Sequence, residues 1–356
     1  MWLIVIVISI YGLVLVRSAS RAGGYFFASQ FVSVVIGLCF AFLFQFFCYQ
    51  ELSRMWIWIG IFCATIMVYT LIFGSTVRGL YGVNAKAWIK LPGGISFQPS
   101  ELAKIGFLFT LAKHLEVLKT NGSLKNLKSL ALLATHISIP IVLTHLQGDD
   151  GAAIVFLCIA IFEIFIAGLD VKFFLWGTAC FTMLIPIIWN FWLAPYQKNR
   201  ILNQVNPEAD PFGMGFQQIQ GKLSIGSGGF LGNGLFCGRR VSDGRVPIQE
   251  SDFIISVAGE ELGFIGCLLI IFLMLVLILR IAYVSKHAPD YLGLFSCFGF
   301  LGLIASQCIF NIGMCLSLIP VIGVTLPFFS AGGSSIICLY LGVGLIQNIY
   351  ISRRKF

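Results

Sequence analysis

Apolar stretches alternate with short polar ones along almost the whole chain. Windows of about 20 apolar residues, enough for a helix to cross a bilayer's hydrocarbon core, fall at roughly 1–17, 27–48, 55–74, 98–118, 129–146, 151–169, 171–194, 253–281, 291–316 and 333–351. Two stretches depart from the rhythm. One is long and polar, from about Pro195 to Asp252. The other, Asn311–Ser335, is apolar but interrupted by Pro320, Gly323, Pro327, Gly332 and Gly333. Broken backbone at membrane depth is tolerated where it is packed in protein or lines a cavity. The pattern therefore predicts an all-α integral membrane protein. It is a single polytopic bundle of about ten transmembrane helices over 1–356, with one long extracytoplasmic loop at about 195–252.

The first window ends in an Ala/Ser tail that mimics a signal-peptidase site. It has no basic leader, and the next apolar run follows at once, so it predicts a first membrane helix rather than a cleaved signal. The segment Ser75–Phe97 is punctuated by Gly and Pro and predicts a turn-rich external connection.

Composition agrees with the membrane reading: 58% of residues are hydrophobic and 11% charged, against about a quarter charged in soluble domains. The net charge of +8 is spread over short loops with no basic–aromatic block, so no nucleic-acid partner is expected. It sets orientation instead. One set of connections carries Arg54, Lys119, Lys125, Lys128, Lys172, Arg280 and Lys286, followed by Arg353, Arg354 and Lys355 at the end. The opposite set carries Arg17, Arg21, Arg78, Lys86 and Lys90. The more basic set is cytoplasmic by the positive-inside rule, which puts both termini inside and the long loop outside.

The 11 cysteines include Cys63, Cys158, Cys267, Cys308 and Cys338 inside apolar runs. With no CxxC pair they read as small buried hydrophobes. Cys237 stands alone in the long loop. His114, His136 and His145 share no metal spacing and read as packing residues; no metal-ligand set is predicted.

Candidate chemistry gathers where polar and apolar stretches meet. In Arg245–Gly266, RVPIQESDFIISVAGEELGFIG, Asp252 sits at the seam, with Glu260 and Glu261 about two turns deeper. A carboxylate at the mouth of a membrane helix is costly and marks a candidate site. Glu250 is close enough in sequence to perturb it. Pro99 suits a first helical turn, which makes Glu101 and Lys104 i,i+3 neighbours. They either neutralise one another or face a polar cavity; the sequence leaves both open. Asp149 and Asp150 suit a helix N-terminus, while Glu163 is an intramembrane acid without a partner in sequence. The long loop carries Lys198, Arg200 and Lys222, then the run Gly226-Ser227-Gly228-Gly229 with Gly232 and Gly234. Such a run either offers backbone N–H groups to phosphate or makes flexible turns. Phe212, Met214, Phe216, Phe230, Leu231, Leu235 and Phe236 between these residues predict a loop lying on the bilayer surface or folded into the bundle.

These groups suit a glycosyl transfer. A sugar hydroxyl attacks an anomeric carbon while diphosphate leaves. Diphosphate needs charge neutralisation rather than a general acid, so the two carboxylates of a glycosidase reduce to one general base. Asp252, ionised at neutral pH with an ordinary pKa of about 3.9, has the type and place for it. Lys104, Arg200 and Lys222 are candidate diphosphate partners. A divalent cation, Mg or Mn, is an expected assistant that no residue pattern places. On residues alone, transport fits such a chain better than catalysis.

A resemblance changes that order. The motifs Gln98-Pro99-Ser100-Glu101 with Lys104, Asp149 and Gly151, Tyr196-Gln197 with Arg200, DPFGMGFQQIQ, IGSGGFLGNG, DFIISVAGEELGFIG, NIGM, IPVIGVTLPFFS and GGSS run through the chain in order. Together they resemble the shape, elongation, division and sporulation (SEDS) family of peptidoglycan polymerases, and its rod-shape branch in particular. The resemblance implies a multi-pass protein of the bacterial cytoplasmic membrane that polymerises lipid II, the undecaprenyl-diphosphate disaccharide-pentapeptide. It implies Asp252 as the essential carboxylate, with Glu101 and Lys104 lining a central cavity; Arg200, Lys222, Ser227 and Gly228 are the further substrate-binding candidates. It implies a class B penicillin-binding protein as partner. A lipid II flippase and a non-catalytic scaffold are the rival readings. The chain departs from the family at several points. Ile248 follows Pro247 where the family has Glu. Ser251 replaces Thr, QGDDG replaces QPDLG, and Ser330-Ala331-Gly332-Gly333 replaces SYGG. The chain opens directly on the first helix, where the family has a leader.

Overall fold

The computed structural model describes residues 1–20, 24–78, 84–90, 96–124, 126–210 and 213–353. Arg21, Lys125, Phe212, Arg354 and Lys355, named above, lie outside them, as does Pro211. In chain order the helices are α1 (Trp2–Ala19), α2 (Tyr25–Phe44), α3 (Tyr49–Ser53), α4 (Trp56–Phe73), α5 (Pro99–Thr120), α6 (Leu127–Leu146), α7 (Asp150–Ala167), α8 (Val171–Ile187), α9 (Pro195–Val205), α10 (Met214–Ser227), α11 (Arg239–Ser242), α12 (Ile254–Lys286), α13 (Tyr291–Cys315) and α14 (Gly333–Ser352).

Nine described helices are long and apolar enough to cross a membrane. The tenth long helix is α5, whose charges keep it out of that set. Its Glu101–Lys104 and Lys113–Glu116 pairs, 2.8 and 2.6 Å apart, let it pack inside the bundle, because a paired charge is far less costly to bury than a lone one. These ten helices fall on the ten windows, so the chain is an all-α polytopic membrane protein. α13 and α14 form the centre. α13 packs on α5, α7 and α12, while α14 packs on α2 and α5. α8 has no buried residue and stands at the periphery.

Two expectations need correction. Ser75–Phe97 is more than a turn-rich connection: it holds a small antiparallel sheet, β1 (Ser75–Arg78), β2 (Asn84–Lys90) and β3 (Ser96–Phe97), in the order β1-β2-β3. Alternation in Lys86-Ala87-Trp88-Ile89-Lys90 allows it, with Ala87 buried and Lys86 and Lys90 exposed. The Lys86 N–H donates to Gln147 O at 2.9 Å, tying the sheet to the turn between α6 and α7. The glycine run, in turn, is neither a phosphate cradle nor a set of free turns. α12 breaks at Gly263, where φ is +67°, a region open to glycine. That break frees carbonyls and N–H groups at membrane depth, where each needs a partner. The run supplies them. Asn233 and Gly234 N–H groups donate to Glu260 O and Glu261 O, each at 3.0 Å. Phe264 N–H donates to Gly229 O at 3.0 Å and Ile265 N–H to Phe230 O at 3.3 Å. The approach is so close that a Cβ on Gly228 would lie 1.9 Å from Gly259 O.

Of the two placements open to the long loop, it folds into the bundle: α10 packs along α12, although Phe230, Leu231 and Phe236 remain exposed. The interrupted segment between α13 and α14 is irregular, as its prolines and glycines predict, and is largely buried at Val324, Leu326, Phe328, Phe329 and Ser330. Its backbone is satisfied partly by local backbone bonds and partly by side chains. Asn311 donates to Val324 O, Gln204 to Ser317 O and Gln30 to Ser330 O, while Gln30 Oε1 accepts from Gly332 N–H.

Candidate functional site

Asp252 lies in the turn just before α12, at the end of the bundle that carries the long loop. Two neighbouring elements fix its backbone. Asn311 Nδ2 and Cys315 Sγ, both from α13, donate to Asp252 O at 2.9 and 3.5 Å. The preceding residue is held by the interrupted segment: Ser330 Oγ donates to Ser251 O at 2.5 Å, and Ala331 N–H to Glu250 O at 2.8 Å. The carboxylate itself is half-buried. Its Oδ1 accepts from Ser251 Oγ at 2.9 Å, and Oδ2 faces Gly323.

Burial pushes the Asp252 carboxyl up to about 6; the Ser251 hydroxyl opposes the rise, the charges of Glu250 and Asp149 add to it, and Arg200 opposes it. The ordinary value expected from sequence is thus corrected, because desolvation disfavours the charged form. Asp149 is raised too, by burial first, against the Ala152 N–H, Lys104 and Gln98.

The influence of Asp149 and Arg200 on Asp252 shows which elements meet here. Asp149 caps α7, accepting from Ala152 N–H at 3.0 Å, and receives Gln98 Nε2 at 2.8 Å from the start of α5. Glu101 and Lys104 are buried one turn further along α5 as a 2.8 Å pair, and both charges act on Asp149. The neighbouring Gly151 abuts the Ile322 carbonyl of the interrupted segment. Arg200 comes from α9, with its guanidinium 5.7 Å from the Tyr196 ring centre.

Asp252 thus lies within the field of Asp149 and Arg200, and Asp149 connects in turn to the Glu101–Lys104 pair. The other candidates are disposed as follows among the described residues. Lys222 is exposed on α10 and forms no ion pair. Ser227 Oγ donates to Ser224 O within its own helix at 2.8 Å, and Gly228 is packed against α12. Among the described residues no group of three His, Cys, Asp or Glu side chains is arranged to hold a metal ion. His114 and His136 stack on one another and on Trp56, as packing residues do.

Sequence reasoning missed Gln30, Asn311 and Ser330, whose hydrogen bonds brace the Asp252 turn and the interrupted segment. It also missed the second role of Asp150, whose carboxylate meets His145 Nδ1 at 2.7 Å and Gln197 Nε2 at 2.6 Å. The available signal was polar residues inside apolar windows, each next to a stretch whose backbone needs donors.

Comparison with known proteins gives the family to which the chain is similar. Residues 1–355 match the model of the FtsW, RodA and SpoVE family, described as cell cycle proteins. The chain is 34% identical over 294 residues to the peptidoglycan glycosyltransferase MrdB of Escherichia coli, covering 83% of this chain and 77% of that one. It superposes with a TM-score of 0.84 and 30% identity on a chain of a peptidoglycan synthase complex studied for the coordination of polymerization and crosslinking, covering 99% and 97% of the two. The rod shape determining protein RodA of Thermus thermophilus gives a TM-score of 0.72 at 27% identity, over 99% of this chain and 95% of that one.

Proposed function

Since this chain belongs to the FtsW, RodA and SpoVE family of cell cycle proteins, we propose that it polymerises lipid II through Asp252. It is a membrane-embedded peptidoglycan glycosyltransferase of the cell-shape and division machinery. The observation that carries the site assignment is the half-buried Asp252 carboxylate within the field of Arg200 and Asp149, with Asp149 in turn acted on by the buried Glu101–Lys104 pair.

Asp252 takes the proton from the acceptor sugar hydroxyl as that oxygen attacks the anomeric carbon, and the lipid diphosphate departs from the opposite face. A base with a pKa near 6 is mostly ionised at neutral pH, and it holds a transferred proton better than an ordinary carboxylate. Arg200, which forms no ion pair within 4 Å among the described residues, balances charge on the departing diphosphate. Lys104 is partly neutralised by Glu101, so the pair sets the field at Asp149 and adds little net charge. The donor set does not by itself form a divalent-metal site, and no step is assigned to one.

The site faces outward, with both termini in the cytoplasm, as the distribution of basic residues supports. A crosslinking partner of the class B penicillin-binding type accompanies the enzyme; support comes from the similar chain that works within a complex of polymerization and crosslinking.

The test uses purified protein with its partner and lipid II, and compares wild type with Asp252→Asn. The expected result is glycan strands from wild type only, with lipid II binding retained by the variant. Strand synthesis by a folded Asp252→Asn protein defeats the assignment. Lipid II translocation without polymer from wild type favours a flippase. Normal cell growth on the variant favours a scaffold.

A further inference from the structure

The Asp150 carboxylate joins three elements. Oδ1 lies 2.7 Å from His145 Nδ1 at the end of α6. Oδ2 accepts from Gln197 Nε2 of α9 at 2.6 Å. Asp150 itself opens α7, where the helix dipole favours a negative charge. Gln197 completes the link from the other side: its Oε1 accepts from Ala194 N–H at 2.9 Å and closes the first turn of α9. Gln197 and Arg200 are i,i+3 neighbours on that helix, and Arg200 sits by the ring of Tyr196 one turn back. α9 packs on the neighbouring loop elements α10 and the turn at Pro207–Ala209, and its last turn is tied to the bundle by Gln204 Nε2 donating to Ser317 O. The bond from its first turn to the α6–α7 junction is the tether at the end that carries Gln197 and Arg200.

We infer that Asp150 is a positioning residue, which fastens α9 through Gln197, with His145 as buttress, and so keeps Arg200 in place beside Asp252. This rests on the reading of Asp252 as the base. The groups facing Asp252 are Ser251, Glu250, Asp149 and Arg200; of these only Arg200 is carried by α9.

Two variants separate the bridge from the charge. Asp150→Leu removes both hydrogen bonds. Asp150→Asn keeps the Gln197 bond, since the amide oxygen accepts from it, and keeps the His145 contact with its direction reversed, the amide N–H donating to Nδ1 of the tautomer protonated on Nε2. Hydrogen exchange over residues 195–205 in the full-length protein reports the tether with or without activity. Exchange is expected to rise several-fold in Asp150→Leu and to stay near wild type in Asp150→Asn. In lipid II polymerisation, Asp150→Leu is expected to move the acid limb of the pH–rate profile upward, as Arg200→Met does, and to add no further shift on the Arg200→Met background. Unchanged exchange in Asp150→Leu, or an acid limb that stays in place, overturns the inference. Equal impairment of the Asn and Leu variants also overturns it, because the charge rather than the bridge would then matter. If wild type makes no polymer, the glycosyl-transfer assignment fails while the exchange result still decides the tether.

Discussion

At the scale of single residues, the burial that makes Asp252 useful also makes it costly. Its native pKa lies above that of an unfolded Asp, so the folded protein binds the proton more tightly than the unfolded chain does. Stability attributable to this group is therefore greatest below about pH 4, and is lost as pH rises through about 6. Asp252→Asn removes that penalty. It should raise the thermal midpoint in detergent at neutral pH, on the order of 1–2 kcal/mol, while abolishing strand synthesis; a lowered midpoint contradicts the burial argument. Ser251 works in the opposite direction, stabilising the ionised carboxylate. Ser251→Ala should move the acid limb of the reaction upward by roughly half to one pH unit, measured as rate against pH. Ile248 shows a second local cost. It holds φ at +55°, although its carbonyl gathers the N–H groups of Ser251 and Asp252 at 3.2 Å each. β-Branched residues disfavour that region. Since its side chain is exposed, Ile248→Asn should stabilise the protein by about 1 kcal/mol, read by the same thermal unfolding.

At the scale of elements, the site depends on two interrupted segments, and these were only partly legible in the sequence. The ten windows of apolar residues predicted the long helices because a bilayer leaves the chain few alternatives. Asp252 was visible as a charge at the edge of a window, and Glu101 with Lys104 as an i,i+3 pair. The function of the glycine run was not visible. Its backbone partners on α12 lie beyond Gly228 by some thirty positions, and only the break at Gly263 creates the need for them. The roles of Asn311 and Ser330 were hidden for the same reason: each serves backbone far from it in sequence. Gly263→Ala tests this account. A Cβ there would lie 2.3 Å from Gly232 N in a backbone region that L side chains avoid. The substitution should cost roughly 1–3 kcal/mol and raise hydrogen exchange at residues 229–234; unchanged exchange there would show that the run holds without the break.

At the scale of the whole molecule, the account needs the Asp252 end of the bundle to face away from the cytoplasm. Native cysteines report this directly. Cys48 and Cys237 are exposed and lie in connections expected on opposite sides of the membrane. A membrane-impermeant maleimide applied to intact cells should label Cys237, and should label Cys48 only after permeabilisation; the reverse pattern inverts the topology. On the proposed reading, that end of the molecule would receive lipid II from the outer leaflet and deliver the growing strand to a crosslinking partner. What makes that geometry chemical is one proton transfer. The most direct measurement is the rate of glycan strand synthesis from lipid II as a function of pH, with purified protein and partner. The account predicts a single ascending limb with its midpoint near 6 and about a tenfold loss for each unit below it. A rate that stays level across that range contradicts it.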